Sequence, residues 1–137
     1  MRNLFFLTLA ILYVRVGHAN TCFEYEPKLA TIAGTLNVKY YPGPPNFEDV
    51  NKGDAKEGAL IVDVDSLFCV KGNPEDELNK EDLNNQRELQ LVILKDALWP
   101  IINRNKGKKI TVTGMLFQAM TGHHRTEVLM TLEKVSE

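Results

Sequence analysis

Three observations predict a mainly β fold. Five β-like runs, bounded by turn residues, are spread along the 137-residue chain. One stretch, Asp96–Gly107, switches to helical spacing and falls between the third and fourth runs. A glycine, Gly34, interrupts the first run, the device by which small barrels bend a strand. That order predicts a small five-stranded OB-like Greek-key barrel with one short helix between strands three and four. A β-sandwich would want about seven strands.

The first strand spans Lys28–Tyr41, where Ala30, Ile32, Leu36, Val38 and Tyr40 form the apolar set. Pro42-Gly43-Pro44-Pro45-Asn46 ends it, because proline donates nothing to a ladder. Ala59–Val64 is the second strand; Leu67–Val70, carrying Cys69, continues it or follows as a bulged extension. Gly72–Arg87 is polar and reads as a solvated loop with a frayed helical turn at Lys80–Asn84. Glu88–Leu94 is the third strand, and apolar residues on both sides near its end imply cover over Val92 and Leu94. Leu98, Ile101 and Ile102 recur at helical spacing, with Asp96 suited to cap the start and Gly107 the stop. Lys109–Phe117 and Val128–Val135 are the last two strands. The helix should plug one barrel end, with Ile32, Leu36, Leu91, Ile110 and Val112 inside and Trp99 partly buried.

The opening Met1–Ala19 has an early charge (Arg2), an apolar core Leu4–Val14, and small residues at Gly17 and Ala19, the parts of a cleaved secretory signal. The core is about 11 residues, where a spanning helix needs about 20. Thr21 before Cys22 argues against a lipid-modified cysteine. The expected domains are a signal at 1–19 and one domain at 20–137, without a membrane segment after cleavage, in the periplasm or outside the cell. Length excludes a two-domain enzyme, a doubly wound nucleotide fold and an (α/β)₈ barrel. The formal charge is −2, and the signal removes two arginines and no acid, which argues against nucleic acid as partner. Cys22 and Cys69 are the whole cysteine complement, so one intramolecular bridge is available in an oxidising compartment. The alternatives are two buried thiols or a metal pair. Such a bridge would contribute about 4 kcal/mol in the chain-entropy model.

The phrases Cys22-Phe-Glu-Tyr-Glu-Pro27, Tyr41-Pro-Gly-Pro-Pro-Asn-Phe-Glu48, Phe68-Cys-Val70, Val112-Thr-Gly-Met-Leu-Phe117 and Thr121-Gly-His-His-Arg-Thr126 occur in that order. Together they resemble an uncharacterised family of small exported proteobacterial proteins, a domain of unknown function, over nearly all of Cys22–Val135. The resemblance implies an exported bacterial protein and supports the single disulfide; it implies no established activity. The family pattern has a third histidine where this chain has Arg125, which weakens any three-histidine metal cradle.

The least ordinary residues lie in two segments, Tyr40–Asp54 and Ala119–Glu127. In an OB-like order these are the loops flanking the face where such barrels bind oligonucleotides or oligosaccharides. The candidate ligand-binding residues are Tyr41, Asn46, Phe47, His123, His124 and Arg125, with Tyr40 nearby. Aromatic faces, a guanidinium and imidazoles suit a sugar, peptide or anionic ligand, and protonation of either histidine below about pH 6.5 would strengthen an anion contact. The bland alternative is a rigid proline loop and a turn capped by its own side chains. No metal site and no cofactor is expected: adjacent histidines in extended chain point to opposite faces, and the acids of the polar loop lack an EF-hand pattern. Catalysis finds little support. Neither a GxSxG elbow nor a phosphate-binding glycine loop occurs, and Ser66 and Ser136 are the only serines. The expected function is therefore a non-catalytic exported binding or interaction module, its small ligand or protein partner unidentified. The rivals are an inhibitor or immunity-type protein blocking an exported enzyme, and a small metal-binding or hydrolytic protein centred on His123 and His124.

Overall fold

The computed structural model describes residues 20–137; the expected signal at 1–19 lies outside them. The elements are β1 (Thr21–Glu24), β2 (Leu29–Pro42), β3 (Lys56–Lys71), β4 (Leu83–Val92), α1 (Trp99–Arg104), β5 (Lys109–Gln118) and β6 (Val128–Ser136). β2 serves two neighbours: Leu29–Thr35 pairs antiparallel with β5, and Gly34–Pro42 antiparallel with β3. The hand-over falls at Gly34, where a Cβ would stand 2.6 Å from the Val62 side chain. β3 pairs with β4, β4 runs parallel to β6, and β6 pairs back to β5, which closes a five-stranded OB-like barrel. β1 adds a sixth strand, parallel to the end of β3, and the Cys22–Cys69 disulfide joins directly opposed residues there.

The barrel interior is apolar because each strand turns one set of its residues inward. Ile32, Leu36, Leu91, Ile110 and Val112 are all buried inside, as the pattern predicts. Ile102 of α1 is fully buried, with Leu98 and Ile101 packed half-buried against the core, while Trp99 is 38% exposed.

Leu67–Val70 continues the second strand, as one of its two readings has it: Lys56–Lys71 is one strand of 16 residues whose pairing with β4 slips between Asp63 and Phe68. Other element readings need correction. β4 begins at Leu83 rather than Glu88, because backbone pairing to Val70 and Phe68 makes a strand of residues whose side chains gave no apolar signal. No helical turn forms at Lys80–Asn84. The remaining loop is tied down: Asn79 is 2% exposed and its Oδ1 accepts the Gln118 N–H at 3.0 Å. The helix is one short α segment led by a 3-10 turn at Asp96–Leu98; Lys95 takes the capping position and no side-chain cap forms. Val92, the last residue of β4, is half-buried, and Leu94 beyond the strand is 72% exposed, so the expected cover is partial at Val92 and missing at Leu94. β1 was not legible, being four residues long.

Candidate functional site

The loop from Gly43 to Ala55 is organised around one carboxylate. Asp54, 5% exposed, accepts the backbone N–H groups of Asn46 (2.9 Å), Glu48 (2.8 Å) and Asp49 (2.9 Å), and the Asn46 carboxamide (3.2 Å). Those backbone bonds, from Asp49, Glu48 and Asn46, hold its pKa below the usual carboxylate value. Asp49 accepts the Asn51 N–H and starts a 3-10 turn at Val50–Lys52, closed by Gly53 at φ 104°. Phe47 stands in the left-handed region at φ 59°.

The loop Ala119–Glu127 has a hub of its own. His124 Nδ1 accepts the N–H groups of Met120 (2.8 Å) and Thr121 (3.3 Å), and its ring meets Phe117 edge-on at 5.6 Å. Nδ1 must be unprotonated to accept. Burial first, and the neighbouring His123 second, push its pKa down. Protonation of His124 would therefore open the turn instead of strengthening an anion contact, which corrects the sequence expectation for this residue.

A third carboxylate joins the two loops. Glu57, at the start of β3 and opposite Tyr41, sits 2.9 Å and 3.0 Å through its two oxygens from His123 Nδ1, and accepts Arg125 Nη2 at 2.7 Å. The His123 bond first, and Arg125 after it, lower the Glu57 pKa against the opposing effect of burial. The Arg125 guanidinium also lies over two rings, 5.2 Å from the Tyr41 centroid and 5.6 Å from that of Phe47. Its side chain is only 9% exposed, whereas that of His123 is 59% exposed. Phe47 meets the His123 ring edge-on at 5.2 Å. Gly122 permits this approach, since a Cβ there would lie 3.2 Å from the Phe47 ring.

Beneath the second loop runs the outward face of the barrel. The register places Ile61 beside Gln90 and Gln90 beside Leu129. Ile61 and Leu129 are fully buried although neither belongs to the inner core. The loop lies across them: Gln90 Oε1 accepts the Arg125 N–H (2.5 Å), Gln90 Nε2 donates to the His123 carbonyl (3.2 Å), and the Gln90 N–H reaches the Thr126 hydroxyl (3.1 Å).

The structure thus gathers Tyr41, Phe47, His123 and Arg125 in one cluster. Asn46 and His124 are turned to hold their own loops. Tyr40 projects from the other face of β2, where Lys56 Nζ stands 4.5 Å from its ring centroid. The two imidazoles point to different partners and share no focus. Sequence reasoning missed Glu57 and Gln90. Starting the second strand at Ala59 left Glu57 outside it; carrying the strand back two residues would have put Glu57 opposite Tyr41. Chemically the cluster is a clamp, one carboxylate against a guanidinium and an imidazole, with the rings of Tyr41 from β2 and Phe47 from the first loop set against the guanidinium of the second.

Fold and site define a small closed OB-type barrel whose two long loops are fastened to each other. Its C-terminal part is similar to a domain of unknown function (DUF4431), whose family model matches residues 88–136. That stretch holds the end of β4, α1, β5, the His123-His124-Arg125 turn and β6. It contains neither cysteine nor the Pro42–Asn46 segment. Among curated proteins none matches the chain.

Proposed function

We propose that this chain is an exported, non-catalytic binding module that presents the clamped loops Gly43–Ala55 and Ala119–Glu127 to a partner. One observation carries the reading: the Glu57 bridge to His123 and Arg125. It fastens together segments remote in sequence, so that the surface is fixed before any partner arrives, and a preorganised surface loses less entropy on binding. The loops also leave apolar Val50 (41%) and Met120 (54%) exposed, and the His123 imidazole is accessible too. The single disulfide, with no free cysteine among the described residues, suits an oxidising compartment such as the periplasm.

The test is affinity capture from the periplasmic fraction with surface variants that leave the clamp intact. Val50→Arg and Met120→Arg should each abolish capture of the partner without changing the melting temperature. Leu78→Arg, at an exposed position of the polar loop before β4, should capture it normally. Loop variants that capture every protein the parent captures would overturn the assignment.

A further inference from the structure

A groove beside the clamp has a chemistry different from that of the loop surface. The parallel ladder between β4 and β6 joins only Gln90–Val92 to Leu129–Thr131. Upstream of it β4 splays from the segment that leads into β6, and a groove of about 290 Å³ opens between them. One wall is Asn84–Glu88 and the other Arg125–Glu127, so no apolar side chain lines it. Asn85 is held there at φ 53°, a conformation that a non-glycine residue adopts at a cost and that often marks a functional position.

The walls are fixed from within. Gln86, 7% exposed, spans the splay: its Nε2 donates to Glu127 Oε2 (2.9 Å) and to the Asn84 carbonyl (3.0 Å). Thr126 donates its hydroxyl to the Val128 carbonyl at 2.6 Å, and Glu88 is held by Lys39. No buried side-chain nitrogen or oxygen among the described residues lacks a partner. Gln86 Oε1, Glu127 Oε1, the Asn85 carboxamide and the Arg87 guanidinium have no hydrogen-bond partner among the described residues, and are therefore not sealed from solvent.

We infer that this groove binds a neutral, hydroxyl-rich ligand, namely a sugar residue. Each sugar hydroxyl both donates and accepts. The open groups mix acceptors and donors on planar amide, carboxylate and guanidinium frames that engage neighbouring hydroxyls in pairs. Their charges balance, one unpaired cation (Arg87) against one carboxylate (Glu127), where a polyanion would require excess positive charge. A lining made of polar and charged side chains disfavours a greasy ligand. The volume stands at the small end of ligand sites, which begin at about 300 Å³, and fits a single ring. One wall, Arg125–Glu127, is the end of the second loop, but the groove's open groups on β4 and the exposed Val50 and Met120 are different residues, so the sugar site and the partner surface are tested by separate variants.

The experiment is amide-resolved NMR titration of the oxidised protein with methyl glycosides of glucose, galactose and N-acetylglucosamine, with glucose 6-phosphate as a charged control. At least one neutral glycoside should shift the amides of Asn84–Glu88 and Arg125–Glu127 with a dissociation constant around 1 mM, ordinary for so small a ligand. Asn85→Gly keeps the backbone conformation while deleting the carboxamide, and Arg87→Ala removes the open guanidinium. Each should weaken binding about tenfold, the loss expected from one good hydrogen bond, with the remaining spectrum unchanged. The inference is overturned if no neutral glycoside moves these amides, if only the phosphate does, or if both variants bind as the parent does.

Discussion

Glu57 fastens residues 66 and 68 positions away with one carboxylate, whereas His124 fastens only its own turn. Both lose their hold when a proton arrives, but in different pH windows. His124 is kept neutral by burial, so below its ordinary value of about 6.5 the unfolded chain takes up a proton that the folded chain refuses, and stability falls with pH. The folded Glu57 pKa is depressed; its contribution is complete above the ordinary value of about 4.3 and is lost as pH falls through the lower folded value. Denaturant midpoints taken from pH 8 to about pH 2 should therefore decline in two steps, the lower one shared with the other depressed carboxylates, Asp54 among them. His124→Asn keeps an acceptor for the Met120 N–H without the titration, and should remove the upper step. An unchanged upper step in that variant would assign the titration to another group.

At the scale of elements, the loops are as rigid as their hydrogen bonds. Asp54 satisfies three backbone N–H groups in a segment with no ladder of its own, the role a capping residue plays at a helix start. Asp54→Ala should speed hydrogen exchange at Asn46, Glu48 and Asp49 by roughly tenfold, the loss of one net hydrogen bond each. Exchange along the β2–β3 ladder from Gly34 to Lys39 should stay at the parent rate. Equal acceleration throughout would mean that Asp54 supports the barrel rather than the loop. β4 shows the converse case, a strand made by its partner's backbone where the side chains of Leu83–Arg87 are mostly polar.

For the molecule as a whole, closure gives each of the five barrel strands a partner on both sides over part of its length, and β1 is added beside the end of β3. That added strand is only four residues long and is held by the bridge between Cys22 and Cys69, 47 residues apart. A loop of that size constrains the unfolded chain by about 4 kcal/mol in the entropy model. Cys69→Ala should accordingly lower the unfolding free energy by about 2–5 kcal/mol, read from denaturant midpoints. A loss below about 1 kcal/mol would show that the barrel keeps β1 without the bridge.

The sequence by itself determined the barrel and its order of strands, because the alternation of Ala30–Ile32 and Ile110–Val112, the bend at Gly34 and the helical spacing of Leu98–Ile101–Ile102 are local consequences of which face each residue must bury. It also determined that Cys22 had one possible intramolecular partner. It singled out both loops, since proline clustering and a histidine pair are visible in one dimension. Only the tertiary structure decided what those residues do. His123, Arg125, Phe47 and Tyr41 meet, while His124 and Asn46 turn away, because hydrogen bonds to Met120 and Asp54 satisfy them within their own loops. The start of β4 and the position of Glu57 were settled by strand register, a pairing between distant backbones that leaves no trace in side-chain periodicity.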